Sequence, residues 1–168
     1  MARIISSTMP VDQILDEVVA VSVKAIKAEQ GTISLLTNQK EKEETGDRFK
    51  TMIRKGGASR QIWRYRLDDH LSGWMLGNRK PITINDVKND NTLKGVQLLN
   101  EEIQSILSVP LMCTGNLIGV LNISIKKKLA VSLKDDQRLL SIIASQSAQI
   151  IENARFYEKE KQLLKIIS

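Results

Sequence analysis

Apolar side chains recur at helical spacing near the start of the chain, between Val11 and Ala28. Their positions fall on one face of a helix: Val11, Ile14, Leu15, Val18 and Ile26. Pro10 precedes this segment and Gly31 follows it, and both residue types are common at helix boundaries. We therefore predict an amphipathic helix that Gly31 ends.

Two β-rich runs follow the first helix. Thr32–Thr37 and Arg48–Lys55 are separated by the polar, charged residues 38–47. Short β-rich segments on either side of a polar connection are typical of neighbouring strands. We predict an antiparallel pair.

The middle of the chain is irregular and holds most of the aromatic residues. Asp68 or Asp69 can cap a short helix that runs through Met75. Ile82–Asn85 is predicted to be a short strand, and Val96–Ile103 a helical turn or two.

A second hairpin is predicted from Gln104 onward. Two apolar runs surround Thr114, Gly115 and Asn116, which are residues suited to the positive φ angles of a tight turn. The near-continuous apolarity of Leu117–Ile125 indicates a central strand that is covered on both faces. The sheet should therefore carry helices on at least one side.

The C-terminal segment has helical periodicity without a glycine or proline. Ser132 and Asp135 form a capping box at its start. A helix from Ser132 to Ser168 would be about 55 Å long, against about 30 Å for a small domain, so its end should leave the globule. We expect Leu139–Ile151 to pack on the sheet and Phe156–Ile167 to meet a partner helix.

A seven-residue repeat runs along this helix and suggests what that partner is. The repeat is typical of a coiled-coil seam. We predict a homodimer through the repeating residues Ile143, Ile150, Tyr157 and Leu164.

Composition narrows the functional classes. The 168 residues include 42% hydrophobic residues, which fits one folded domain, and the net charge is +6. The basic residues are scattered and aromatics make up only 4%, which disfavours nucleic-acid binding. No stretch approaches 18 unbroken apolar residues, so we expect no membrane span in this segment. The N-terminus lacks the apolar core of a secretory signal, and one cysteine fits a reducing compartment, so we expect a cytoplasmic location.

Three stretches, in this order, carry a resemblance to a known family. They are SGWMLGNRKPITIND, SILSVPLMCTGNLIGVLNIS and SLKDDQRLLSIIASQSAQIIENARFYE. Together with the order of predicted elements, they resemble a GAF domain over nearly its whole length. The resemblance implies an α+β, GAF/PAS-like fold with a central antiparallel sheet of about six strands. The N- and C-terminal helices would lie on one face, and loops and short helices would form a pocket on the other.

The resemblance also implies a domain plan and a type of function. Residues 1–154 would form the GAF domain, and residues 155–168 an exit helix that connects to a downstream domain as a coiled coil. GAF domains are mostly sensory modules that bind cyclic nucleotides, tetrapyrroles, small metabolites or nothing. We expect a non-enzymatic small-molecule sensor within a kinase, phosphatase, cyclase or transcription regulator, for example in two-component or cyclic-nucleotide signalling. The alternatives are a ligand-free dimerisation spacer and a small enzyme that uses the same pocket.

Candidate pocket residues come from the irregular middle segment. Large aromatics there can contact a planar ligand or only fill the space under the loops. Asp86 follows the predicted strand at a position where the family often has a polar pocket residue. The candidate ligand-binding residues are Trp63, Tyr65, His70, Trp74, Asp86 and Val96.

The sequence gives little support for a bilin, a haem or a cyclic nucleotide as the bound group. Cys113 lies in the second hairpin, far along the chain from His70, whereas covalent bilin attachment in the family usually pairs a cysteine with a histidine. Nothing near His70 favours haem. The cyclic-nucleotide signature is unrecognisable, since Asn122 is followed by Ile123. Reduction of free methionine sulfoxide needs a second cysteine, which the chain lacks. The sequence also shows no constellation of catalytic or metal-binding residues. We therefore predict no catalytic residue and no metal site, and the ligand is unidentified.

Overall fold

The computed structural model describes residues 8–37, 43, 49–56, 65–90, 103–126 and 130–167. These residues contain three helices and five strands. In chain order they are α1 (Val11–Ile26), β1 (Gln30–Leu36), β2 (Phe49–Gly56), α2 (Tyr65–Asn78), β3 (Ile82–Ile84), β4 (Ser105–Cys113), β5 (Asn116–Ile125) and α3 (Ala130–Ile167).

The strands form one antiparallel sheet in the order β2-β1-β5-β4-β3. Both predicted strand pairs are present, and β5 is the central strand that the sequence predicted. The expectation of about six strands is wrong for the described residues, which form five. The sixth strand is implied by the resemblance alone, and no further β-rich run in these residues remains to form it.

The ends of two helices differ from the prediction. The first helix ends at Ile26, because Lys27 adopts a left-handed conformation with φ of 58°. Gly31 therefore does not end the helix and lies inside β1 instead. The second helix begins at Tyr65, before the predicted cap at Asp68 or Asp69.

The hairpin between β4 and β5 is built around Thr114 and Gly115, with φ of 48° and 81°. This confirms the turn that was predicted there. Farther along β5, Gly119 allows close strand contact, because a Cβ atom at this position would lie 2.5 Å from the Ser34 carbonyl oxygen on β1. Any side chain at residue 119 would force the strands apart.

Helices α1 and α3 cover one face of the sheet, as predicted. The layer between them and the sheet is a continuous apolar core, in which most side chains are fully buried. Its members include Ile14, Leu15, Val18, Ile33, Leu35, Leu107, Val109, Leu121, Ile123, Leu140, Ala144, Ala148 and Ile151.

Helix α3 is longer than the domain that it covers. Its 38 residues give a length of about 57 Å. Ala154 is fully buried, whereas every side chain from Phe156 to Ile167 is exposed. The helix therefore leaves the apolar core after Ala154.

Side-chain hydrogen bonds tie α3 to β3 and to α1. Thr83 Oγ1 of β3 donates to Gln137 Oε1 at 2.9 Å. At the other end, Glu158 Oε1 accepts the Val11 N–H at 3.0 Å. Pro10 at the N-terminal boundary of α1 has no side-chain donor or acceptor, so the exit helix supplies a cap that α1 lacks.

Candidate ligand-binding face

Among the described residues, the apolar side chains on the sheet face turned away from α1 and α3 form two separate clusters. Helix α2 contacts it in two places, through Leu71 and through Met75. The first apolar cluster joins Leu71 to Ile84, Val87, Ile103 and Ile106. The second joins Met75 to Leu117 and Val120, with Leu36, Phe49, Trp74, Leu76 and Met112 packed against it.

A row of buried polar side chains crosses this face. Thr32 of β1 pairs with Asn122 of β5, which pairs with Ser108 of β4. We call these three residues the polar row. All three are 0% exposed, and Ser108 Oγ donates to Asn122 Oδ1 at 2.6 Å. The row continues into a wider polar surface, because Ser34 and Ser124 lie on the same face and are also buried.

The polar row distinguishes this face of the sheet from the face that α1 and α3 cover with apolar side chains. Along β4, Ser108 lies between Ile106 of the first apolar cluster and Met112, which packs on the second. Burying hydroxyl and amide groups is unfavourable unless they are hydrogen-bonded, and apolar side chains would fill the same space at no such cost. Small-molecule sites combine apolar walls with a few polar groups that orient the ligand. This face has that composition.

The family follows from this fold and from a match along most of the chain. The family model described as GAF domain matches residues 8–152. The chain belongs to the GAF domain family. No curated protein matches this GAF domain.

Solved structures share the fold at low sequence identity. The GAF domain of a phosphoenolpyruvate-protein phosphotransferase from Coxiella burnetii is 21% identical, with a TM-score of 0.68 over 89% of this chain and 87% of that chain. The corresponding domain from Acinetobacter is 20% identical, with a TM-score of 0.67 over 89% and 86%. Type II free methionine-R-sulfoxide reductase from Thermoplasma acidophilum is 20% identical, with a TM-score of 0.62 over 84% and 94%.

The predicted pocket residues are only partly brought to this face. Trp74 is half-buried and packs against the second apolar cluster. His70 lies exposed on α2. Tyr65 begins α2, but the structure does not describe its side chain. Trp63 and Val96 lie outside the described residues altogether.

The carboxylate of Asp86 accepts hydrogen bonds from residues of its own turn. Its Oδ1 accepts the Lys88 N–H at 3.2 Å, and its Oδ2 accepts from Asn89 Nδ2 at 2.8 Å. The side chain is exposed and stabilises the turn that follows β3. The contacts of Asp86 in this GAF domain are therefore those of a turn-stabilising residue.

The seven-residue repeat on α3 divides into two parts. Ile143 and Ile150 are half-buried and pack against the domain's own core. Tyr157 is 50% exposed and Leu164 is 67% exposed. Only the second half of the predicted dimer stripe therefore faces away from the domain.

Sequence reasoning missed the polar row, although a signal for it exists. The segments Thr32–Leu35 and Leu121–Ile125 read TISL and LNISI, with polar and apolar residues alternating within buried strands. Period-two alternation puts the polar residues on one face. The overall apolarity of β5 concealed this pattern.

The single cysteine of this GAF domain lies on the opposite side of the sheet. Cys113 is buried in the core beneath α1 and α3, and its Sγ donates to Gln149 Oε1 at 3.3 Å. Among the residues that the structure describes, no group of three or more His, Cys, Asp or Glu residues could hold a metal ion. The described helices include none with the length and apolarity needed to cross a membrane.

Proposed function

We propose that this GAF domain is a non-enzymatic sensor of a small molecule that binds at the polar row and changes the arrangement of a paired C-terminal helix. The observation that carries the proposal is the buried set of hydroxyl and amide groups between two apolar clusters. A ligand-free dimerisation spacer would need only a filled core, as on the opposite face. The buried polar groups between the two apolar clusters of the described residues favour the sensor over the spacer.

The relay is proposed to run through α3 because this one helix both packs on the sheet and projects from the domain. Gln137, near its start, accepts the hydrogen bond of Thr83. Thr83 lies in β3 between Ile82 and Ile84, which pack in the first apolar cluster on the ligand-binding face. A ligand that packs against this cluster would therefore act on a strand that is bonded directly to α3. Such a ligand shifts the helix only if it binds two arrangements with different affinity.

The partner of the exit helix is proposed to be a second copy of the chain. Phe156 is 63% exposed and Leu163, seven residues later, is 57% exposed. They form a stripe beside Tyr157 and Leu164, so two apolar stripes run side by side along the projecting segment. A contiguous apolar surface of this kind is unfavourable in water and typical of an interaction surface.

An enzymatic role finds less support. Free methionine-R-sulfoxide reductases share the fold, but the chain has one cysteine, and it is buried on the helix face away from the polar row. Two thiols are needed to form and resolve a disulfide during such a reduction. We propose that the output comes from a downstream signalling domain of a larger cytoplasmic protein.

Native mass spectrometry of the full chain tests this proposal in one spectrum. We expect a dimer that retains additional mass from a small molecule. A dimer without extra mass, even after incubation with cell metabolite extract, would favour the spacer. A monomer would contradict the paired-helix relay.

A further inference from the structure

Exposed apolar side chains of α3 lie on the side of the helix that faces away from the sheet. Leu140 and Ile151 are among the residues that α3 buries in the core. Ile142 is 55% exposed, Phe156 63% and Leu163 57%. At 3.6 residues per turn, these exposed residues lie about half a turn around the helix from the buried ones. The domain's own sheet therefore cannot cover them.

The exposed side of α3 carries a repeat with alternating spacings of three and four residues, which is the spacing of a coiled-coil seam. We call its members the outer seam: Leu139, Ile142, Gln146, Gln149, Asn153, Phe156, Glu160, Leu163 and Ile167. All of them are exposed. The outer seam lies one residue away from the repeat predicted from the sequence, in which Ile143 and Ile150 pack against the domain. It is therefore open along the helix both over the domain and beyond it.

The polar members of the outer seam fit a second copy of the same helix that runs parallel and in register. Such a pair places Asn153 beside Asn153 of the second copy, and amide groups both donate and accept hydrogen bonds. Each seam side chain inserts among four residues of the facing helix, so Glu160 lies beside Lys159 of the second copy and opposite charges meet. Antiparallel pairing of the whole seam would instead place polar members against apolar ones.

We propose that a second copy of this chain packs, parallel and in register, along the outer seam, over the domain as well as beyond it. This inference rests on the proposed function, since it names the surface and the orientation of the paired helix. Helix α3 then lies between its own sheet and the second copy, so a shift of the sheet acts on the pair directly. Glu158 points away from the seam, and its contact with Val11 stays intact in the dimer.

Disulfide cross-linking of the full chain tests this inference with two single variants, Ile142→Cys and Leu163→Cys. The two positions lie about 32 Å apart along the helix. A parallel, in-register pair brings each of these residues next to its own copy, within the distance of about 4 Å between Cβ atoms that a disulfide needs. We expect each variant, after mild oxidation, to shift from monomer to dimer mass in non-reducing electrophoresis.

Two controls accompany these variants. Gln162→Cys places an exposed cysteine next to Leu163 but on the other side of the helix from the outer seam. The wild-type chain carries only Cys113, which is buried. Both should stay at monomer mass. Thermal melts followed by circular dichroism establish that the variants are folded.

Other results would overturn the inference, and they separate it from the proposed function. Cross-linking of Leu163→Cys alone would refute contact over the domain while leaving paired exit helices in place. Cross-linking only in a mixture of the two variants would show an antiparallel pair. Equal cross-linking of Gln162→Cys and Leu163→Cys would refute the outer seam as the contact. If no variant cross-links, the seam is refuted, and the paired helix of the proposed function fails with it only if sedimentation shows a monomer.

Discussion

Gly119 lies where β5 passes too close to β1 for a side chain, and the importance of this close contact can be measured directly. A Cβ atom there would lie 2.5 Å from the backbone oxygen of Ser34, so Gly119→Ala must displace a strand of the sheet. We predict a loss of about 2–3 kcal/mol in the free energy of unfolding, measured by urea denaturation.

Gly73 provides the control for this substitution. It lies exposed within α2, and a Cβ atom added there would have no heavy atom within 4 Å. Gly73→Ala should raise the free energy of unfolding by up to about 1 kcal/mol, because alanine favours the helix. Equal effects of the two substitutions would show that close strand contact at Gly119 is unimportant.

The polar row could in principle have been found from the sequence, but its meaning could not. Alternation within a strand indicates which residues share a face. Only the register between strands shows that Thr32, Asn122 and Ser108 form one line, and the sequence does not state that register. Conversely, Asp86 was proposed from family resemblance alone, and its carboxylate is used by the turn that contains it.

At the scale of single elements, the contact between Glu158 and Val11 fixes where the exit helix leaves the domain. We predict that Glu158→Ala lowers the free energy of unfolding by about 1 kcal/mol, because the first turn of α1 loses a charged acceptor. Amide hydrogen exchange of Val11 and its neighbours should become faster. Urea denaturation and exchange mass spectrometry measure the two effects.

Glu160→Ala is the matched control for this change. Glu160 is exposed on the same helix, two residues farther on, and the same side chain is removed. We expect a change within about 0.5 kcal/mol and no change in exchange at α1. If both variants behaved alike, the cap from α3 would not stabilise α1.

Helices and strands with a strong local pattern could be predicted from the sequence, but the residues at which they begin and end could be predicted less well. The hairpin at Thr114 and Gly115 was predicted because its turn residues lie between two apolar runs. The end of α1 was missed because Lys27 adopts a left-handed conformation that glycine or asparagine usually occupies. The repeat on α3 was predicted to be one dimer seam, although Leu139–Ile151 was also expected to pack on the sheet. The two expectations conflict at Ile143 and Ile150, which pack against the domain's own core.

At the scale of the whole molecule, the projecting part of α3 should determine the oligomeric state. Leu163→Lys introduces a charge into the exposed apolar stripe, and we predict that the dimer dissociates at least about tenfold more readily. Analytical ultracentrifugation across a concentration series measures this change. Helix content, measured by circular dichroism, should fall only in the projecting segment.

Gln162→Lys adds the same charge one residue earlier, where the native side chain is polar and exposed. The dimer should keep its wild-type affinity in this control. Dissociation of both variants alike would indicate a general charge effect, and dissociation of neither would mean that another surface holds the dimer.

Ligand binding at the polar row is tested most directly by identifying and quantifying the small molecules released from the purified chain, using liquid chromatography and mass spectrometry. Wild-type protein is compared with Ser108→Ala and with the equally buried Ser105→Ala. We predict that wild-type and Ser105→Ala release the same compound in similar amounts and that Ser108→Ala releases at most about a tenth as much. Equal amounts from all three folded proteins would contradict the claim that the polar row binds the ligand.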